Sequence, residues 1–164
     1  FADIPFSLMR LSQMAGNQSI AAPIIANAYA RNPWIAQAPT PILPAFYQVW
    51  GQPLMTLNQD SWVSDALARC GAQNIFAGLP ISAPTVNVEN VIKRNPALII
   101  TASNHAQPDH TLNMWHNWHE MSALKHQGLL FTDADLMNRA TLRTLIESER
   151  LCTQIAHVRT RINP

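Results

Sequence analysis

Charge is what this chain has least of. Only 13% of its 164 residues are Asp, Glu, Lys or Arg, and the net charge is +1. No basic stripe interleaved with aromatics is present, which argues against a nucleic-acid partner. Glycines number five, and none falls in a phosphate-cradling loop. No serine sits in a nucleophile elbow. No apolar run approaches the ~20 residues of a membrane-spanning helix. No charged segment followed by an apolar stretch opens the chain, so a signal peptide is either absent or already removed. The two cysteines, Cys70 and Cys152, form no metal or redox motif. Buried thiols and a disulfide both stay open for them.

What the chain does have is apolar mass, at 48%, with twelve prolines and five tryptophans. The length suits one domain with an appendage. Thr85 to Thr101 is the clearest piece of architecture. Asn87 is placed to cap a helix, and Glu89 falls in its first turn, favourable against the dipole. Val88, Val91 and Ile92 supply an apolar stripe. Asn95-Pro96 stops the helix. The apolar run from Ala97 to Ile100 then predicts a strand covered on both faces.

Ahead of this unit, Asp3 to Ala30 predicts a helix or a kinked pair. Gly16-Asn17 permits a break, and Pro23 is expected at or near the junction. Residues 33–41 form a proline-rich linker. Ile42 to Trp50 predicts a strand, Gly51-Gln52-Pro53 a break, and Leu54 to Leu57 a brief continuation. Asn58, Asp60 or Ser61 caps a helix through Arg69, and Gly71 is placed to end it. A Gly/Pro/Ser-rich loop spans residues 77–84. Beyond the covered strand, residues 111–119 predict a helical turn with Trp115 and Trp118 on one face. Leu129 to Phe131 predicts a strand, and Thr132 to Arg139 a polar loop. A last helix from Thr141 to Val158 is expected to pack Leu142, Leu145, Ile146, Cys152, Ile155 and Val158, leaving Arg159 and Arg161 in a frayed tail. The strand–helix alternation predicts an α/β three-layer sandwich with a central, mostly parallel sheet.

Catalytic signatures are sparse. His116 and His119 lie three apart, with Glu120 and His126 near in sequence, but a third metal ligand is not evident. His105 and His110 fall beside the loop after the covered strand. Asp133 and Asp135 read as solvent groups or helix caps. A metal-dependent hydrolase using His105, His110, His116 or Glu120 stays open as an alternative. Polar and aromatic groups at strand ends describe a binding cleft better: Tyr47, Trp50 and Met55 around the first strand, and Asp135 and Arg139 beyond the last.

Three runs carry a family resemblance: CGAQNIF from Cys70, VNVENVIKRNPALIITA from Val86, and FTDADLMNRATLRTLIESERLCTQIA from Phe131. They resemble the C-terminal lobe of periplasmic vitamin B12-binding proteins, within the helical-backbone substrate-binding proteins that serve ABC importers. The resemblance covers residues 42 to 158 well and residues 3 to 32 more loosely, as the connector between lobes. It implies a connector over 1–32 and a C-terminal α/β lobe over 42–164, in an oxidising periplasm. It implies that Cys70 and Cys152 form a disulfide, and that Asp135 and Arg139 line the ligand cleft. Met55 stands where a phenylalanine would pack on the corrin, with Trp50 near a second aromatic position. Glu89 matches a surface glutamate that docks on the membrane permease. Ile81 to Pro84 holds no counterpart of the family's cleft tryptophan, so ferric-siderophore or haem ligands are the alternative to cobalamin. A third possibility is an interaction module that has lost its ligand. The resemblance also implies a missing N-terminal lobe, a half cleft that binds weakly alone, and apolar surface on which two copies could pair as a homodimer. The implied activity is binding without catalysis or a resident cofactor.

Overall fold

The computed structural model describes residues 3–32, 38–103, 111–137, 139 and 141–162. Helices α1 (Asp3–Met14) and α2 (Gln18–Ala30) come first. They are broken at Gly16, whose φ of +68° suits a residue without a side chain. Pro23 lies inside α2 and not at the junction. The glycine makes the turn, so the proline is not needed for it.

The strands are β1 (Leu43–Gln48), β2 (Trp50–Gly51), β3 (Leu54–Met55), β4 (Ala72–Asn74), β5 (Leu98–Ser103) and β6 (Leu129–Asp133). β1 pairs parallel with β4 on one side and β5 on the other, and β6 adds parallel to β5. The order is therefore β4-β1-β5-β6. Every carboxyl end of this sheet points the same way, which collects the loops that follow the strands on one rim.

Alternate residues of each strand face opposite layers. Leu43, Ala45, Tyr47, Leu98 and Ile100 pack against α3 (Trp62–Arg69) and α7 (Leu142–Ile162). Phe46 and Ile99 pack against α4 (Val88–Arg94), a 3-10 turn over Asn113–Asn117, and α5 (Ser122–Lys125). The result is the expected α/β arrangement, a parallel sheet between two helical layers. Ser61 caps α3, its Oγ accepting from the Val63 N–H at 3.2 Å. Asn87 caps α4, accepting from the Asn90 N–H at 3.0 Å. Asn95 ends α4 in the left-handed region at φ 43°, and the chain then enters β5. The α1–α2 pair docks on the outer side of α3 and α7, through Ile4 against Ala66 and Leu145.

Three local expectations need correction. The chain after Val158 is not a frayed tail, because α7 continues to Ile162. Arg159 is half-buried, and its guanidinium donates to the carbonyls of Cys70 (3.2 Å), Gly71 (3.0 Å) and Pro41. The Cys70 carbonyl lies at the end of α3, where helix geometry leaves carbonyls without an intrahelical donor, whereas the Gly71 carbonyl also accepts from the Leu43 N–H at 2.9 Å. Ile146 is 65% exposed. It lies about 200° around the helix from buried Ser148, and Leu151 takes the core place instead. Trp115 is fully buried while Trp118 is 43% exposed. The 3-10 turn ends at Asn117, so Trp118 leaves the face that Trp115 occupies. The disulfide is present: Cys70 and Cys152 are joined, tying the end of α3 to the middle of α7.

Candidate functional site

From β1 the chain moves to β4 on one side, then returns to β5 on the other. A parallel sheet whose order reverses in this way opens a crevice at the carboxyl ends of the two diverging strands. A cleft of about 560 Å³ lies there, between the 49–52 arm, Thr101 and Ala102 of β5, and Thr111 and Met114. Its volume falls in the range of small-molecule sites.

Trp50 forms one wall. β2 and β3 make a short antiparallel hairpin in which Trp50 sits opposite Met55. Directly opposed residues share a face, so hairpin pairing explains why two positions five apart in sequence meet. The indole is 61% exposed, and its Nε1–H donates to the Gln52 carbonyl at 2.9 Å. Met55 also bridges to Thr85. The 77–84 loop is tied to the same rim, with the Thr56 N–H donating to Pro84 and the Asn58 N–H to Ser82. Asn74, buried at the end of β4, reinforces this by donating to Thr56 Oγ1 and the Leu57 carbonyl, both at 2.8 Å.

Tyr47 lies beneath this rim. Its ring is in the core against α3 and α7 and walls a smaller cavity of about 230 Å³ with Leu57, Trp62 and Met137. The hydroxyl is close to Thr132 yet makes no hydrogen bond of ordinary geometry, and burial pushes its pKa up to about 12.

The β6 end carries the charged groups. Asp133 Oδ1 accepts the backbone N–H of Asp135 at 2.9 Å and of Leu136 at 3.2 Å, capping the short helix α6 (Ala134–Met137). The Asp133 N–H in turn donates to Glu147 Oε1 at 2.8 Å, and Glu147 is buried on α7. Thr144 Oγ1 donates to the Leu136 carbonyl at 3.0 Å and also to the Arg139 carbonyl. Two side chains of α7 thus set the backbone on which Asp135 and Arg139 stand, and both of those are exposed.

The remaining candidates separate from this rim. Glu89 is exposed on the first turn of α4. His105 and His110 lie outside the described residues. His116, His119 and Glu120 are exposed, and Glu120 pairs with Lys125 at 2.6 Å. Among the described residues no group of three or more His, Cys, Asp or Glu could hold a metal ion. A second cavity of about 490 Å³, walled by Ile92, Trp118 and Met121, lies beside the end of α4 and shares no lining residue with the cleft.

Residues 26–136 match the family model described as periplasmic binding protein. This chain belongs to the periplasmic binding protein family. Its members are periplasmic and bind rather than catalyse, which sets the hydrolase alternative aside. The chain is 36% identical over 111 residues to the vitamin B12-binding protein of Vibrio cholerae serotype O1, covering 67% of this chain and 39% of that protein. It is 32% identical over 114 residues to the vitamin B12-binding protein of Vibrio vulnificus, covering 69% of this chain and 41% of that protein. The chain thus spans about two-fifths of the curated relatives it matches. The crystal structure of the periplasmic vitamin B12-binding protein of Vibrio cholerae superposes with a TM-score of 0.79 at 28% identity, over 95% of this chain and 61% of that one. The crystal structure of S. aureus IsdE complexed with haem shares the fold alone, with a TM-score of 0.70 at 13% identity over 93% of this chain and 63% of that one.

Within this periplasmic binding protein fold, sequence reasoning missed four contributors to the cleft: Gln48 beneath it, and Thr101, Thr111 and Met114 in its wall. Gln48 left one signal, a lone amide at the end of an otherwise apolar strand. The other three carry none without knowledge of strand order.

Proposed function

We propose that this chain is the C-terminal lobe of the substrate-binding component of an ABC importer, and that its cleft takes cobalamin or a related corrinoid. The observation that carries the reading is the exposed Trp50 indole beside Met55, at the switch crevice. Asp135 and Arg139 do not line that cleft but follow β6, whose carboxyl end points the same way as that of β1, and the reading assigns them to the same guest. A corrinoid offers a broad flattened apolar ring edged with amides. An indole face and thioethers suit the ring, and a carboxylate and a guanidinium suit the amides. The identity to vitamin B12-binding proteins supports the same choice.

In this reading Glu89 docks on the permease. It stands free on a helix start, where a rim charge governs orientation and encounter rate more than affinity. The surface that covers the other side of the guest comes from an N-terminal lobe. Phe6, Leu11, Met14, Ile20 and Ile24 are exposed on α1 and α2 and give two copies of this chain an apolar surface to share. A ferric siderophore or haem is the second reading, favoured by the segment Ile81 to Pro84, which presents an exposed isoleucine and no aromatic.

Calorimetric titration with cyanocobalamin, haemin and a ferric hydroxamate tests the choice. The expected result is saturable cyanocobalamin binding weaker than submicromolar, because half of the guest stays wet, and its loss in Trp50→Ala. Tighter binding of haemin or of the hydroxamate would move the assignment to the second reading.

A further inference from the structure

Gln48 occupies the last position of β1 and is fully buried. Its side chain is used at both ends. The Trp115 indole Nε1–H donates to Gln48 Oε1 at 2.7 Å, and Gln48 Nε2 donates to the Thr111 carbonyl at 3.0 Å. Its backbone carbonyl accepts from Thr101 Oγ1 at 2.9 Å. Thr101 and Thr111 both line the cleft, as does Met114 between the two side-chain anchor points. The chain directly after Gln48 is Val49 and Trp50, the opposite wall. Three separate stretches of the cleft therefore meet at one residue that does not line it.

An amide in a dry core costs stability unless donor and acceptor are both paired. A methionine of similar volume would fill the same space but take this partner from the buried Trp115 indole N–H and from the Thr111 carbonyl. What the amide adds is fixed position. Phe46, the neighbour before it, already packs edge-on against Trp115 with ring centroids 5.7 Å apart, so the apolar contact is supplied independently. The hydrogen bonds determine where the backbone at Thr111 stops, and so where Met114 points relative to Trp50.

We infer that Gln48 is a positioning residue: its buried amide sets the Thr111–Trp115 wall of the cleft and thereby the cleft's width, without contacting the guest. This rests on the corrinoid reading for its ligand, and on geometry alone for the wall.

The test uses the 164-residue chain and three variants. Gln48→Met removes both side-chain bonds at near-constant volume, Gln48→Glu keeps the acceptor for Trp115 but loses the amide donor to Thr111, and Trp115→Phe removes the indole donor together with part of a fully buried ring. Amide exchange by mass spectrometry is read on peptides over 111–117 and 98–103, with cyanocobalamin affinity alongside. The expected result in Gln48→Met is exchange about tenfold faster over 111–117, the fold-change that a lost buried hydrogen bond brings, with 98–103 unchanged. Affinity falls about tenfold, and Gln48→Glu and Trp115→Phe fall between. Uniformly faster exchange across the sheet, or no local change, overturns the inference, because either marks Gln48 as core filling. If Gln48→Met does not fold, Gln48→Glu decides by the same local exchange. If the unaltered chain takes up no cyanocobalamin, the corrinoid reading fails, and the exchange pattern alone judges Gln48.

Discussion

Removing the disulfide by Cys70→Ala together with Cys152→Ala should be the largest stability change available without touching the sheet. The bridge spans 82 residues. In the chain-entropy description a loop of that length restricts the unfolded chain by roughly 4.5 kcal/mol, and native bridges commonly deliver 2–4. Total stability for a domain of this size is on the order of 5–15 kcal/mol, so the pair accounts for a substantial share. The folded state has a partial substitute. Arg159, seven residues beyond Cys152, bonds to the carbonyls of Cys70 and Gly71 and keeps α7 on the end of α3. The native fold should therefore persist, and the loss should come mainly from the freed unfolded chain. Urea denaturation of the oxidised protein and the double variant measures it. The expected outcome is a loss of about 2–4.5 kcal/mol with a steeper denaturant slope, because the uncrosslinked chain exposes more surface on unfolding. A loss below about 1 kcal/mol, or two reactive thiols in the unreduced denatured protein, would refute the reasoning.

Other outcomes follow from individual groups. Burial raises the Tyr47 phenol from 10.0 to about 12; the folded state holds that proton more tightly, so this group's contribution is intact below pH 10 and lost as pH rises towards 12, by roughly 2–3 kcal/mol. Tyr47→Phe should flatten that alkaline decline and leave neutral-pH stability equal or higher, as its hydroxyl has no hydrogen bond to lose; an unchanged alkaline profile would contradict this. Gly71→Ala should cost roughly 1–3 kcal/mol in urea denaturation, since φ is +73° and a Cβ would sit 2.4 Å from the Pro39 carbonyl oxygen. Arg159→Met should lose about 1–3 kcal/mol, because the Cys70 and Pro41 carbonyls lose this donor while the Gly71 carbonyl keeps only the Leu43 N–H, detected as an earlier thermal midpoint and not as altered guest binding.

The parts of the fold legible in the sequence are those fixed by local chemistry. The Asn87 cap and the Asn95-Pro96 stop bounded α4 and placed β5, because capping and proline geometry act within a few residues. Strand β4 was not legible: it is three residues long, and its Asn74 is buried only because Thr56 and Leu57 offer it partners from afar. The buried face of α7 was misassigned at Ile146 for the same reason. Thr144, Glu147 and Ser148 line that face, and polar burial depends on tertiary partners that periodicity does not record. The cysteine pair was open on spacing and became decidable only through the family resemblance. Trp50 and Met55 could be grouped as neighbours of a strand end, whereas Thr101, Thr111 and Met114 become their neighbours only once β5 is known to lie beside β1.

The most direct test of a guest-holding rim is nuclear magnetic resonance of the labelled chain titrated with cyanocobalamin to millimolar concentration. Such a rim predicts fast-exchange shifts at the Trp50 indole N–H and over 49–55, 101–102, 111–114 and 133–139, with the ligand recovered unchanged. Absence of shifts at saturation, or shifts gathered around Ile92, Trp118 and Met121 instead, would contradict it.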